Sequence, residues 1–260
     1  MNATVGARAA RVLVTRPVDQ AGRLVEALRG AGLEPVAVPT IAVEQAPAGG
    51  QLDHLAGRLD RYDWIVVTSA NGARAILAAA IRVAASLERP RWAAVGRASA
   101  AVLETSGVRV SFQPQAATAA ALGSELPARP GDRLLVVRGD LADERLPAAL
   151  RARGAIVDDI VGYRTVEAPA ESGPLLREAV ANGGLDAIVF TSGSTARGLL
   201  ALADAAGITA WAIPAVCIGP ETAAEAARLG FTVLAVAPDA RADALATTTA
   251  AAVAGLRLET

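Results

Sequence analysis

Two Thr-Ser pairs could bind an anion. Thr68-Ser69 and Thr191-Ser192 stand 123 residues apart (68 to 191), each directly after a short apolar run. A hydroxyl at that point can cap the helix that follows, and the free N–H groups of the first helical turn attract negative charge. Capping alone would explain either pair, but two copies favour binding of one anionic ligand. The predicted binding residues at these pairs are Thr68, Ser69, Ala70, Asn71, Thr191, Ser192, Gly193 and Ser194.

Two arginines and two glycine turns extend this set. Arg16 and Arg138 end apolar runs at matching positions of the chain. An Arg fork suits a carboxylate, although a structural ion pair at the sheet is an equal alternative. Gly96 and Gly219 each precede a helix with a hydroxyl residue in its first turn. The binding residues predicted here are Arg16, Ser99, Arg138, Gly139, Gly219, Pro220 and Thr222.

Tyr163 could take part in proton transfer. It is one of only two tyrosines and lies in the segment VGYRT. A phenol at the mouth of a binding site can donate a proton or orient a leaving group. The alternative is a linker aromatic with a purely structural role.

The elements that position these residues come from an internal duplication. Residues 62–79 (YDWIVVTSANGARAILAA) match residues 185–202 (LDAIVFTSGSTARGLLAL) at nine of eighteen positions. Short apolar runs alternate with helical spacing in both copies, which indicates βα units and parallel sheets. A repeat of more than 100 residues is too long for a solenoid. The sequence therefore predicts two similar α/β domains, and such pairs usually bind a ligand between them.

Two segments interrupt the βα rhythm at matching places and are predicted to be interdomain linkers. Residues 39–44 (PTIAVE) and 162–167 (GYRTVE) both end in Val-Glu. If both cross one hinge, residues 1–38 and 168–260 form a discontinuous domain and residues 45–161 form the other. A simple split near residues 129–131 (RPGD) is the alternative, and the pattern alone leaves both open.

Composition excludes several classes of site. All 25 basic residues are arginine, so a Schiff-base lysine, a pyridoxal-phosphate lysine and a Walker P-loop are excluded. One cysteine, Cys217, and one histidine, His54, rule out a structural zinc site, and no metal is expected. A net charge of −1 with 3% aromatic residues argues against nucleic-acid binding. With no apolar run flanked like a membrane helix, we expect no membrane association and a cytoplasmic protein.

The ordered motifs resemble the uroporphyrinogen-III synthase family. VLVTRP, YDWIVVTSANG, VGYRT, LDAIVFTSGS and IGPETA follow one another in its order and spacing, across roughly residues 11–255. The resemblance implies two flavodoxin- or Rossmann-like domains joined by a two-stranded linker, one of them discontinuous. It also implies an enzyme of haem biosynthesis that cyclises hydroxymethylbilane, with loss of water and inversion of the D ring, to uroporphyrinogen III. The family uses no metal and no organic cofactor.

The resemblance also assigns roles. Tyr163 matches the family tyrosine that assists loss of hydroxide, and Thr68, Ser69, Thr191, Ser192 and Thr222 match its binding motifs. The family often has threonine where this chain has Ser99. A monomer is expected, and a transient contact with hydroxymethylbilane synthase is a further prediction. The alternative is a non-catalytic, two-lobed ligand-binding or regulatory protein on the same scaffold.

Overall fold

Strands and helices alternate along residues 8–208 and 212–259, which are the residues that the computed structural model describes, with side chains up to residue 256. The strands are β1 Arg11–Val14, β2 Glu34–Ala37, β3 Ile41–Gln45, β4 Trp64–Val67, β5 Arg91–Ala94, β6 Val110–Phe112, β7 Arg133–Gly139, β8 Ile156–Glu167, β9 Ala187–Phe190, β10 Ala215–Cys217 and β11 Val233–Val236. The helices are α1 Val18–Gly30, α2 Gln51–Ala56, α3 Ala70–Arg82, α4 Arg97–Thr105, α5 Ala119–Glu125, α6 Arg145–Ala152, α7 Ser172–Ala181, α8 Gly193–Ala206, α9 Pro220–Arg228 and α10 Ala242–Glu259.

The chain divides into two units. Unit 1 comprises residues 1–42 and 166–260, and unit 2 comprises residues 43–165. The chain passes from one unit to the other between residues 42 and 43 and between residues 165 and 166. These two points lie inside the segments 39–44 and 162–167, whereas residues 129–131 lie within unit 2.

Both units contain the same parallel sheet. Its strand order is β11-β10-β9-β1-β2 in unit 1 and β6-β5-β4-β7-β8 in unit 2, where β3 adds to the β8 edge. All pairs within these two sets of five strands are parallel. Counted along the chain, the order in unit 1 is 2-1-3-4-5, which is the flavodoxin-like arrangement. The predicted fold, two similar α/β domains with parallel sheets, is confirmed.

The order of the strands fixes where each unit can bind a ligand. In a doubly wound sheet the helices change sides between two central strands, and a crevice opens beyond their carboxyl ends. This switch point lies between β1 and β9 in unit 1, and between β7 and β4 in unit 2. Thr68-Ser69 and Thr191-Ser192 directly follow β4 and β9, so both pairs stand at a switch point.

The two linkers form strands rather than loops. Ala46 N–H donates to the Gly162 carbonyl at 3.0 Å, and Ala168 N–H donates to the Thr40 carbonyl at 2.9 Å. Residue 46 pairs with residue 162 and residue 40 with residue 168, so the two segments run in opposite directions and β3 and β8 are antiparallel. The two-stranded linker is therefore a pair of hydrogen-bonded strands, and β8 continues through it from the sheet of unit 2.

The central strands are buried because helices cover both faces of each sheet. In unit 2, Ile65 and Val67 pack with α3 and α4, whereas Trp64 and Val66 pack with α5 and α6. In unit 1, alternate residues of β9 likewise join two separate clusters. Side chains alternate between faces along a strand, so a run of four apolar residues contributes to two hydrophobic cores.

In each unit the linker segment packs so closely that a glycine is needed at the contact. In unit 1, a Cβ on Gly198 of α8 would overlap the Thr40 carbonyl oxygen. In unit 2, a Cβ on Gly162 would lie 2.6 Å from Val137 Cγ1 and 3.2 Å from Ala75 Cβ. Ala75 on α3 stands 123 residues before Gly198, so the glycine is on the helix in one unit and on the strand in the other.

Candidate functional site

A pocket of about 330 Å³ opens at the switch point of unit 2. It lies beyond the carboxyl ends of β4, β5 and β7 and beside β8, where the fold predicts ligand binding. Its volume is at the lower end of the range for ligand pockets. Its lining combines polar residues with apolar side chains. The residues that line it are Thr68, Ser69, Val95, Ala117, Ala119, Gly139, Asp140, Leu141, Ala142, Tyr163 and Thr165.

Ser69 connects the first turn of α3 to Tyr163. As the N-cap residue, it accepts a hydrogen bond from Gly72 N–H at 3.0 Å through its Oγ. The same hydroxyl donates to Tyr163 Oη at 3.0 Å. The phenolic hydrogen of Tyr163 is not used in this contact and can be donated to a molecule in the pocket. The capping interpretation of Ser69 and the binding interpretation are therefore compatible.

Gly139 provides the space in which the Tyr163 ring lies. A Cβ at position 139 would be 2.6 Å from Tyr163 Cζ and 2.7 Å from its Oη, closer than real Cβ contacts come. The two residues are neighbours because the register between β7 and β8 shifts, pairing Arg138 with Val161 and Gly139 with Tyr163. Gly162 is the extra residue of this bulge, and the bulge changes the face on which Tyr163 lies.

Arg138 forms the structural ion pair. Its guanidinium donates to both carboxylate oxygens of Asp159, with Nε–Oδ1 at 2.9 Å and Nη2–Oδ2 at 2.9 Å. These hydrogen bonds raise the pKa of the Arg138 guanidinium. Nη1 donates to the Ala142 carbonyl at 2.7 Å, which fastens the loop after β7. Arg138 does not line the pocket, so its contribution is to hold the loop that does.

The other residues predicted in unit 2 lie at helix starts. Ala70 and Asn71 open α3, and Asn71 Oδ1 accepts a hydrogen bond from Arg74 at 2.9 Å. Ser99, in the first turn of α4, is 4% exposed, and its N–H donates to the Gly96 carbonyl. The structure thus brings Thr68, Ser69, Gly139 and Tyr163 together in one pocket and leaves Ala70, Asn71 and Ser99 outside its lining.

In unit 1 the second Thr-Ser pair repeats this cap. Ser192 Oγ accepts from Thr195 N–H at 3.3 Å, and the Thr195 hydroxyl accepts from Ser192 N–H, which completes a capping box. The Ser192 and Ser194 hydroxyls lie 2.9 Å apart. A Cβ on Gly193 would be 3.0 Å from Glu225 Cγ, so this turn packs against α9. Thr191 is half-buried between β9 and the cap.

The second helix start of unit 1 is held by an ion-pair network. Gly219 is the N-cap residue of α9, Pro220 begins the helix, and Thr222 is buried in its first turn. On α9, Glu225 receives hydrogen bonds from Arg228 and Arg197, which lower the pKa of its carboxyl to about 2. Arg197 also binds Glu167 at 2.9 Å. Arg197 is therefore engaged in ion pairs, while Arg74, its counterpart, is exposed.

Arg16 lies at the switch point of unit 1. It follows β1, and its neighbour Thr15 is fully buried, with its hydroxyl donating to the Val189 carbonyl of β9 at 2.8 Å. Arg16 itself is half-buried. In position it corresponds to Arg138, which directly precedes the pocket loop of unit 2.

Comparison with known proteins identifies the family. The family model described as uroporphyrinogen-III synthase HemD matches residues 22–247. The chain belongs to the uroporphyrinogen-III synthase family. It is 31% identical over 223 residues to the porphyrin biosynthesis protein HemD of Ruminiclostridium josui, covering 84% of this chain and 44% of that protein. It is 31% identical over 192 residues to the uroporphyrinogen-III synthase of Chlorobaculum parvum, covering 72% of this chain and 76% of the relative.

Solved structures show the same fold. A variant of uroporphyrinogen III synthase from Thermus thermophilus aligns with a TM-score of 0.63 at 21% identity, covering 95% of this chain and all of that one. Uroporphyrinogen-III synthetase from Helicobacter pylori aligns with a TM-score of 0.57 at 14% identity, covering 96% and 99%. The predicted family is confirmed, and the predicted activity is the one that these relatives' names give.

The single cysteine and the single histidine of the chain do not line the pocket. Cys217 is buried in β10, and burial raises the pKa of its thiol to about 11. His54 is exposed on α2. Within the described residues, no group of three His, Cys, Asp or Glu side chains is placed to hold a metal ion. In the same part of the chain, no helix is both long and apolar enough to cross a membrane.

Sequence reasoning missed much of the pocket wall. Asp140, Leu141 and Ala142 follow β7, and Thr165 follows Tyr163 on β8. The position of Gly139-Asp140 at the carboxyl end of a central parallel strand was the available signal, since residues there line the crevice of such a sheet. Ala117 and Ala119 come from the segment before α5 and its first residue, and neither carries a chemical signal.

Proposed function

We propose that this protein is a uroporphyrinogen-III synthase. It cyclises hydroxymethylbilane, a linear tetrapyrrole, with loss of water and inversion of the D ring. The observation that carries this proposal is the Tyr163 hydroxyl, held by Ser69 at the edge of a pocket at the switch point of unit 2. Family membership supports the choice of substrate.

Loss of the hydroxyl group is the step that Tyr163 assists. A hydroxymethyl group on a pyrrole leaves as water if a proton reaches its oxygen while the C–O bond breaks. The donors run in one direction, from Gly72 N–H to Ser69 Oγ and from Ser69 Oγ–H to Tyr163 Oη. Each donated hydrogen bond polarises the next donor, and the series starts at the positive end of α3. Tyr163 is thereby prepared to donate to the departing oxygen.

Ring inversion depends on the conformation in which the enzyme holds its substrate. The linear substrate cyclises unaided, but without inversion, so the enzyme must hold one folded conformer. The helix starts after β4, β9 and β10 offer N–H groups for substrate carboxylates. We propose the following residues for substrate binding: Arg16, Thr68, Ser69, Ala70, Asn71, Gly139, Thr191, Ser192, Gly193, Ser194, Gly219, Pro220 and Thr222. Arg138 and Ser99 are assigned to holding the site together, because one is ion-paired and the other buried.

An isomer assay tests this function. Hydroxymethylbilane is generated in situ, the protein is added, the products are oxidised, and type I and type III uroporphyrin are separated by chromatography. We expect type III to dominate, with type I alone in the sample without protein. Type I alone from a folded sample would refute the synthase and favour the non-catalytic binding or regulatory protein.

We also propose that the protein acts as a monomer. The large apolar side chains exposed in the described residues are spread over six parts of the chain, and only the two at the end of α3 are neighbours in sequence. They are Val18, Ile81, Val83, Leu141, Ile156, Leu175 and Val236. Light scattering should give the mass of one chain, 26.3 kDa, and twice that mass would contradict the proposal. A transient contact with hydroxymethylbilane synthase and a cytoplasmic location stay predictions.

A further inference from the structure

Asp140 brings a carboxylate into the pocket of unit 2. It is the one carboxylic acid residue in the described lining. Its Oδ1 accepts a hydrogen bond from Thr165 N–H at 3.0 Å, and its own N–H donates to the Tyr163 carbonyl at 3.2 Å. Asp140 is thus tied to β8 through its carboxylate at Thr165 and through its backbone N–H at Tyr163, which lines the same pocket.

A negative charge is unexpected in a site for a polyanion. The proposed substrate bears many carboxylates, and like charges at short range repel each other. A carboxylate in the pocket instead favours a hydrogen-bond donor or a developing positive charge. The donors of a tetrapyrrole backbone are its pyrrole N–H groups. In each ring the N–H lies on the edge opposite the carbons that carry the acidic side chains, so an acceptor can bind the N–H edge while the carboxylates point away.

Two groups of the pocket match two neighbouring groups of the substrate. On the terminal ring, the carbon bearing the hydroxymethyl group is bonded directly to the pyrrole nitrogen. Asp140 and Tyr163 line the same pocket, and a backbone hydrogen bond from Asp140 N–H to the Tyr163 carbonyl holds the two residues next to each other. A ring whose hydroxymethyl group meets Tyr163 would therefore present its N–H towards Asp140.

We propose that Asp140 is a further catalytic residue, accepting a hydrogen bond from this pyrrole N–H and stabilising the positive charge that forms there. The inference rests on the proposed function. When the C–O bond breaks, its electron pair leaves with oxygen, which takes a proton from Tyr163 and departs as water. The nitrogen lone pair then forms a C=N bond, the ring double bonds shift to give an exocyclic C=C bond, and the positive charge settles on N–H beside the carboxylate.

The remaining steps restore the charges. The D-ring carbon attacks the exocyclic carbon and forms the new C–C bond, which cancels the charge on nitrogen and places a positive charge on the D ring. The bond from that D-ring carbon to its original methylene bridge then breaks and re-forms at the free α-carbon of the same ring. Loss of the proton on that free α-carbon restores aromaticity, and the proton returns to Tyr163. Asp140 stabilises charge that exists only after ionisation begins, so its effect belongs to the transition state and the intermediate.

Asp140→Asn separates this role from a structural one. The amide keeps an oxygen that can accept from Thr165 N–H, so the loop should hold, but the charge is lost. We expect kcat to fall about 10- to 100-fold, while KM stays equal or decreases because a repulsive charge has been removed. Asp143→Asn is the matched control: Asp143 lies in the same loop, is exposed, pairs with Arg145 and does not line the pocket, so this variant should keep the wild-type kcat.

The outcomes distinguish the two claims. Wild-type kcat in Asp140→Asn, together with type III product from the wild-type protein, would overturn the role of Asp140 and leave the synthase standing. A raised KM with unchanged kcat would also overturn it, because that result would indicate ordinary ground-state binding. Failure of the wild-type protein to make type III product would refute the proposed function itself.

Discussion

At the scale of single residues, the position of Tyr163 depends on Ser69 and Gly139. Ser69 donates a hydrogen bond to the Tyr163 hydroxyl, and Gly139 has no side chain that would occupy the space of the ring. These two contacts limit the Tyr163 ring to few orientations. The orientation matters for catalysis because a small displacement of a catalytic group lowers the reaction rate.

Gly139→Ala should impair catalysis more than binding. The added Cβ would lie 2.6 Å from Tyr163 Cζ, so the ring must move and the contact with Ser69 is lost. We expect kcat to fall at least about 10-fold, because a positioned proton donor contributes at least that much. Steady-state kinetics measure the effect.

The matched control for this prediction is Gly22→Ala on α1. A Cβ there has nothing within 4 Å, and alanine favours a helix, so kcat should be unchanged and stability equal or higher. An unchanged kcat in Gly139→Ala would show that the Tyr163 orientation does not matter for the rate.

At the scale of elements, a glycine allows the linker segment to pack closely in each unit, on helix α8 in unit 1 and on strand β8 in unit 2. On α8, Gly198 allows the Thr40 carbonyl to approach, and Thr40 Oγ1 donates to the Thr195 carbonyl at 2.8 Å. The linker strand is thereby fixed to the helix that begins at the second Thr-Ser pair. The same helix thus carries both the capped turn and the attachment of the linker.

Gly198→Ala should strongly destabilise the protein. Its Cβ would overlap a backbone carbonyl, which unlike a flexible side chain cannot turn aside. We expect a loss of about 3 kcal/mol in the free energy of unfolding, at the upper end of overpacking effects. Denaturant unfolding measures it, with Gly173→Ala, whose Cβ has open space, as the control. A midpoint equal to wild type would show that α8 moves away from Thr40 at little cost.

The ion pairs of Glu225 should make stability depend on acid. Hydrogen bonds from Arg228 and Arg197 lower the pKa of Glu225 from its ordinary 4.5 to about 2 in the folded protein. Because the folded pKa is the lower one, this contribution is complete above about pH 4.5 and is lost as pH falls towards 2.

Glu225→Gln tests this dependence. We expect the variant to be less stable than wild type at pH 7 and the difference between the two to shrink between pH 4.5 and pH 2, as measured by denaturant unfolding at each pH. Glu221→Gln, exposed in the first turn of the same helix, serves as the control. A difference that stays constant over this range would contradict the lowered pKa.

Elements were predictable where the sequence carries a local signal. The strands before both Thr-Ser pairs and the caps at Ser69 and Ser192 follow from apolar runs and hydroxyl residues. The helices α5, α7 and α10 were not predicted. In α10 the run ATTTAAAVA has little amphipathic contrast. The helix is stabilised by packing with α1, since Leu24 and Leu28 share a hydrophobic cluster with Leu245 and Val253. Such tertiary stabilisation is not visible in a local pattern.

At the scale of the whole molecule, the duplication proved the most informative feature. The offset of 123 residues predicted that β4 and β9, and the helices after them, are equivalent, and both sheets have the same strand order. The pocket itself was only partly predictable. The proximity of Gly139 and Tyr163 arises from a bulge at Gly162, and a shift of one residue in register leaves no trace in composition or spacing. The engagement of Arg138 by Asp159 likewise depends on that pairing.

The most direct test of the central claim is the isomer ratio of the product, measured for wild-type protein and Tyr163→Phe side by side with hydroxymethylbilane generated in situ. If the pocket of unit 2 performs the reaction, wild type gives mainly type III. Tyr163→Phe keeps the ring beside Gly139 but cannot donate to the leaving hydroxyl, so turnover falls at least about 100-fold and unaided closure to type I dominates. A Tyr163→Phe variant that yields type III at the wild-type rate would contradict the account.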